Sequence, residues 1–137
     1  MSRINSTRAF SDNVKGQLKA RFRLDADGQP LYEDDDDGLR HYTIDLTLES
    51  PAAPDIDSVT YYMDDETYWD PVAVSNDRDN DFTEEISSYG DFEVEVTVQM
   101  RKHAYKQRAW LSSLLEAGHA GDTSPAIREA INRIKGN

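Results

Sequence analysis

Residues 92–100, FEVEVTVQM, alternate without a break. Phe92, Val94, Val96, Val98 and Met100 stand against Glu93, Glu95, Thr97 and Gln99. Successive side chains of a strand point to opposite faces, so this pattern predicts a strand with one buried and one wet face. Such a strand needs a second apolar layer, and the rest of the chain offers it. Val14, Gly16, Leu18, Ala20, Phe22 and Leu24 share one face, with Lys15, Gln17, Lys19, Arg21 and Arg23 on a basic outer face. Tyr42, Ile44, Leu46 and Leu48 alternate again. Residues 56–63 form a third strand with Val59, Tyr61 and Met63 inward, and residues 81–86 a shorter one around Phe82, Glu84 and Ile86. A last strand is expected over residues 104–110. Short alternating strands separated by turn signals predict an all-β, antiparallel sandwich of two sheets.

The intervening segments read as breaks. DADGQPLYEDDDDG, residues 25–38, has Gly, Pro and an acid run and is expected as a solvated loop. ESPAAPD cannot continue a ladder, because proline has no N–H to give it. After residue 110, LSSLLEAG predicts a short helix closed by Gly118. A final helix starts with Ser124 as N-cap and Pro125 at its first position, and carries the apolar stripe Ile127, Ala130, Ile131 and Ile134. The expected organisation is a loose arm over residues 1–13, a sandwich over 14–118 and a helical appendage over 119–137.

A chain of 137 residues suits one such domain and buries enough surface to fold without staples. It has no cysteine, which excludes disulfides, zinc–thiolate sites and thiol catalysis. A net charge of −12 opposes nucleic acid and anionic membranes and suits a basic peptide, which the field would steer inward. No segment approaches the roughly 20 apolar residues of a membrane span, and residues 1–15 lack a signal-peptide pattern, so the expected setting is the cytoplasm.

Catalytic signatures are missing. There is no G-x-S-x-G, P-loop or H-E-x-x-H, and His41, His103 and His119 are scattered, so no enzyme, cofactor or metal is expected. DRDNDFTEE spaces Asp77, Asp79 and Asp81 as a calcium loop would. Its sixth position is Phe82 where glycine belongs, and its twelfth is Ser88 where a bidentate Glu belongs. The segment YYMDDETYWDP, residues 61–71, is different, because it interleaves rings with acids beyond what a core strand or a wet loop needs. With Tyr89 in SSYGDF, it puts aromatic faces on two loops at one end of the sandwich. Rings with a hydroxyl and carboxylates between them can hold a flat amide or a cation.

These two loops carry a family resemblance. IDSVTYYMDDETYWDP resembles the segment of YEATS domains in which I-x-x-V-x-F-x-L-H runs into x-S-F-x-x-P. Thr67 falls on the family's loop serine, Tyr68 on its aromatic and Pro71 on its proline. SSYGDFEVEVTV is similar to the family's G-[WYF]-G-x-F loop and following strand, with Tyr89, Gly90 and Phe92 on the aromatic, the glycine and the core phenylalanine. HYTIDLTLESP is similar to its H-x-W-x-V-x-V-x-G-P strand. The likeness runs loosely over residues 14–117 and best over 41–100. It implies an immunoglobulin-like sandwich of prokaryotic type that reads an acylated lysine, its acyl amide held between the two loops, with a ligand that need not be histone. The sites it implies are Asp65, Thr67, Tyr68, Trp69, Tyr89 and Gly90.

Two positions depart from the family. Asp65 stands where it carries histidine, and Ser88 where it carries glycine. A carboxylate cannot replace a neutral imidazole as donor and favours a cationic ligand: free or methylated lysine, or an amine. Three other readings stay open. Tyr68 and Tyr89 could be plain loop anchors. The chain could be an assembly or sensing module acting through edge strands and C-terminal helices. Or it could be a carbohydrate-binding sandwich stacking exposed rings on sugars.

Overall fold

The computed structural model describes residues 16–64, 68 and 70–137. The alternating segments form two facing antiparallel sheets, followed by two helices, in an immunoglobulin-like sandwich. In chain order the strands are β1 Gln17–Phe22, β2 Tyr32–Asp34, β3 Arg40–Glu49, β4 Ile56–Tyr62, β5 Val72–Ser75, β6 Glu84–Ser88, β7 Glu93–Met100 and β8 Ala104–Trp110. The helices are α1 Leu111–Gly118 and α2 Pro125–Gly136.

In the first sheet β3 is central. Ile44 lies between Phe22 and Ile86, and Tyr42 between Tyr32 and Ser88. A residue has one neighbour on each side, so β1 and β2 lie end to end on one edge of β3 and β6 lies on the other. The second sheet runs β5-β4-β7-β8. Between the sheets Phe22, Ile44, Leu46, Val59, Phe92, Val94 and Val96 are all buried. The isoleucine stripe of α2 belongs to the same core: Ile127, Ala130, Ile131 and Ile134 are buried with them.

Three segments correct the sequence reading. The acid-rich stretch 25–38 is not all loop, because β2 interrupts it. Two like turns frame that strand. The Asp25 carboxylate accepts the N–H groups of Asp27 and Gln29, and that of Asp35 accepts those of Asp37 and Leu39. Gly28 and Gly38 then take the left-handed conformation that glycine adopts without strain. β2 is exposed on both faces, so it shows no alternation. The second is β5, a strand in a stretch the sequence reading left unassigned. Its four residues are too few for a clear period. The third is β6, which starts at Glu84 and not at residue 81. Asp81 and Phe82 both have φ above +50°. This kink lets Leu48 N–H bond to Asp81 O and Tyr61 Oη donate to Phe82 O, and it places Phe82 in the core.

One long side of the sandwich is closed. Gln107 of β8 bridges the sheets: its Oε1 accepts Leu18 N–H at 3.2 Å and its Nε2 donates to Gly16 O at 2.6 Å. Further along β1, Phe22 N–H donates to His119 Nε2 at 2.9 Å. Between them α1 lies so close that a Cβ on Gly118 would meet Ala20 O at 2.1 Å. The free edge of β1 is thus satisfied by side chains and by a helix, as buried backbone groups require.

Candidate functional site

The register brings three connections to one end of the sandwich. Tyr42 faces Ser88, so the 35–39 turn leading into β3 adjoins the loop after β6. Tyr62 faces Glu95, so the connection after β4 leaves at the same end. Of the six residues expected to form the site, Tyr68, Tyr89 and Gly90 are placed there. Asp65, Thr67 and Trp69 lie outside the described residues.

The loop between β6 and β7 is pinned on three sides. The Ser88 hydroxyl donates to Gly90 O at 2.8 Å and accepts Gly90 N–H at 3.3 Å, tying the loop to itself. Ser88 thus replaces the family's glycine with a buried hydroxyl that is fully used. Gly90 is pressed against the main chain of Asn137, whose oxygen would lie 3.0 Å from any added Cβ. Asp91 accepts the N–H of Ser112 at 2.9 Å and its hydroxyl at 2.6 Å. A carboxylate there satisfies donors in the first turn of α1 and complements its dipole, where Trp110 at the N-cap position supplies no side-chain bond.

Within this fixed loop the two tyrosines differ. Tyr68 is half-buried, edge-on to Phe92 with ring centres 5.5 Å apart. Its hydroxyl donates to Ser87 O at 2.7 Å, tying the connection after β4 to the edge of β6. Burial pushes this phenol up to about 12. Tyr89 meets the His41 ring edge-on at 5.2 Å, and the His41 Nε2 lies 2.7 Å from Asp35 Oδ2. That hydrogen bond holds the Asp35 carboxyl below its usual range.

Acids are frequent on the connections at this end. Asp34 pairs with Arg40, whose guanidinium covers the Tyr32 ring at 3.8 Å. Asp36 and Asp37 are exposed beside Asp35, and Asp64 and Asp70 flank the other connection. A half-exposed ring amid carboxylates attracts an ammonium group, through its face and through the surrounding field. Sequence reasoning did not find His41, Asp35, Asp91 or Asn137 as parts of this end. No spacing in the chain announces contacts that the sheet register creates.

Among the described residues no group of three or more histidines and carboxylates could hold a metal ion. Among them, too, no helix is long and apolar enough to cross a membrane.

Residues 42–109 match the family model of the prokaryotic YEATS domain. That span contains both connections, strands β4 to β7, and most of β3 and β8. A solved structure described as the Yaf9 YEATS domain recognizing an H3K122suc peptide is 16% identical, with a TM-score of 0.47, covering 74% of this chain and 70% of that chain. No curated protein matches the chain.

Proposed function

The chain carries a YEATS-family domain, and from that premise we propose that it is a non-enzymatic module that binds a lysine-bearing peptide at the acidic, aromatic end of the sandwich. The observation that carries this reading is the posture of Tyr89. Its loop is held by Ser88, Asn137 and Ser112, yet its own ring stays half-exposed against His41. A binding ring on a pre-organised loop loses little entropy when the ligand arrives.

Asp65, Thr67, Tyr68 and Trp69 supply the facing loop in this reading, with Gly90 letting the chain approach closely. Asp65 in place of the family's histidine, together with the acids on these connections, selects a cationic lysine, free or methylated, over a neutral acyl-lysine. The partner is a basic protein segment and not nucleic acid, whose phosphates the charge of −12 repels. An assembly role through α2 is disfavoured, because the isoleucine stripe it would use is buried in this chain's own core.

The test is a titration of unmodified, trimethyl-, acetyl- and crotonyl-lysine peptides against wild type, Tyr89→Ala and Asp65→His. Trimethyl- or unmodified lysine should bind best, Tyr89→Ala should abolish it, and Asp65→His should raise acyl-lysine affinity. Strong acyl-lysine binding that survives Tyr89→Ala would sink the reading.

A further inference from the structure

The sandwich has two long sides, and they are treated differently. The closed side is covered by Gln107, His119 and α1, and the outer edge of β8 there carries Lys106 and Arg108. Exposed lysines and arginines are among the devices that stop one sheet edge from pairing with another. On the open side β5 and β6 run alongside each other. The β6 edge is partly guarded, because the Tyr68 hydroxyl caps Ser87 O.

Among the described residues β5 has no such guard. Met63 N–H donates to Pro71 O at 2.8 Å, and Tyr61 faces Ala73 in the same phase. Ala73 and Ser75 therefore bond to β4, and the N–H and C=O of Val72 and Val74 point off the sheet. Their side chains are exposed too, Val74 at 61% and Val72 at 41%, beside Tyr62 at 38%. Edge strands with free backbone groups and apolar side chains are templates for an added strand.

The surroundings indicate what kind of strand. Asp70 precedes β5; Asp77, Asp79 and Asp81 follow it; Glu84 and Glu85 lie on β6. The basic residue among them, Arg78, is exposed and donates its Nε to Ile56 O. Glu84 shares the inward face of β6 with Ile86 and Ser88, and it has no hydrogen-bond or ion-pair partner among the described residues. Burial raises its pKa. A carboxylate held half-buried at the mouth of the open side is placed to meet a cation. A second copy of this chain is a poor occupant, since each copy carries −12.

We infer that β5 docks an extended, basic segment of another protein as an added antiparallel strand. The segment's aliphatic side chains lie on Val72 and Val74, and its alternate lysine or arginine reaches Glu84. This site is separate from the loop end and goes beyond the function proposed above.

The probe is a fluorescent peptide of alternating lysine and valine, with an alternating glutamate–valine peptide as control. Only the lysine–valine peptide should bind, and it should slow amide exchange at Val72 and Val74. Val74→Pro, which removes an N–H that β4 does not use, should weaken binding by about tenfold or more. Val74→Lys, which keeps the backbone and adds a repelling charge, should do the same, and Glu84→Gln should weaken it by a smaller factor. Tyr89→Ala should leave the protection of the Val72 and Val74 amides unchanged, which separates this site from the loop end. The inference is overturned by equal binding of the glutamate peptide, by binding without protection of the Val72 and Val74 amides, or by no binding at all. It is equally overturned by loss of that amide protection in Tyr89→Ala, or by self-association of the chain that Val74→Pro abolishes.

Discussion

The main-chain N–H of Phe22, on the edge of β1, donates to the imidazole Nε2 of His119, which is fully buried. That bond fixes the tautomer. Nε2 accepts, so Nδ1 carries the proton and donates it to Asp122 Oδ2 at 2.8 Å. The ring also stacks on Phe22 at 5.4 Å. A second proton on the ring would turn Nε2 into a donor facing a donor.

His119 should therefore make stability depend on pH. Burial lowers its pKa below the ordinary 6.5, against the opposing pull of Asp122. Above pH 6.5 the imidazole is neutral in both folded and unfolded chains and the two states bind equal numbers of protons. As pH falls below 6.5 the unfolded chain takes up a proton that the native ring resists, so stability drops until the native pKa is passed. Urea midpoints between pH 8 and 5 should fall on acidification in wild type and flatten in His119→Gln over the same window. His119→Leu should cost about 1–3 kcal/mol at pH 8, because it leaves Phe22 N–H buried and unpaired.

The two tyrosines of the loop end should separate stability from binding. Tyr68→Phe removes the bond to Ser87 O and should cost about 0.5–1.5 kcal/mol in urea unfolding. Tyr89→Ala loses only an edge contact with His41 and should cost about 1 kcal/mol or less while removing peptide binding. A stability loss in Tyr89→Ala as large as that in Tyr68→Ala would mean that Tyr89 is a core anchor.

Gly90 should resist enlargement. An added Cβ meets the Asn137 main chain at 3.0–3.3 Å, tighter than ordinary contact. Gly90→Ala should displace the end of α2 by a few tenths of an ångström, and Gly90→Val should cost about 1–3 kcal/mol through overpacking. Amide chemical shifts of Asn137 and Tyr89 should move together in both variants, which shows whether α2 and the loop are mechanically linked.

The α2 stripe should behave as core. Ile131 is 1% exposed, so Ile131→Ala should cost about 2–5 kcal/mol. Loss of residues 122–137 should expose the sandwich interior, lower the melting temperature and raise binding of a hydrophobic dye. An unchanged melting temperature would show that the stripe contributes nothing.

The sequence made the half-buried strands legible, because each has one face in the core and one in water. β3 and β7 alternate over eight or more residues, β4 alternates from Val59 after a bulge between Ile56 and Ser58, and all three fall where the pattern places them. β2 and β5 stayed hidden for the opposite reason. Val72 and Val74 lie on the wet face, and Tyr32, Glu33 and Asp34 are all exposed, so neither edge strand carries an apolar period. At the candidate site Tyr89 was legible from its loop motif. His41 beside it, Asp91 on Ser112 and Asn137 on Gly90 were not, since β-sheet register and helix docking bring together residues far apart in the chain. The Gln107 bridge to Gly16 spans 91 positions, and no local pattern encodes such a distance.

The split edge of β3 has one more consequence. Phe22 faces Ile44, so an unbroken strand would put residue 24 opposite Tyr42; Tyr32 stands there, eight positions later. Eight is even, so side chains beyond the detour return to the faces they would have held without it. The chain from residue 24 to 31 is thus a cassette spliced into a strand. Cutting it out would join Arg23 to Tyr32 in correct phase. A Cβ added to Gly28 at its tip would meet nothing within 4 Å, so a cassette lengthened by an even number of residues would also leave the fold in register, with space for a label or an added loop.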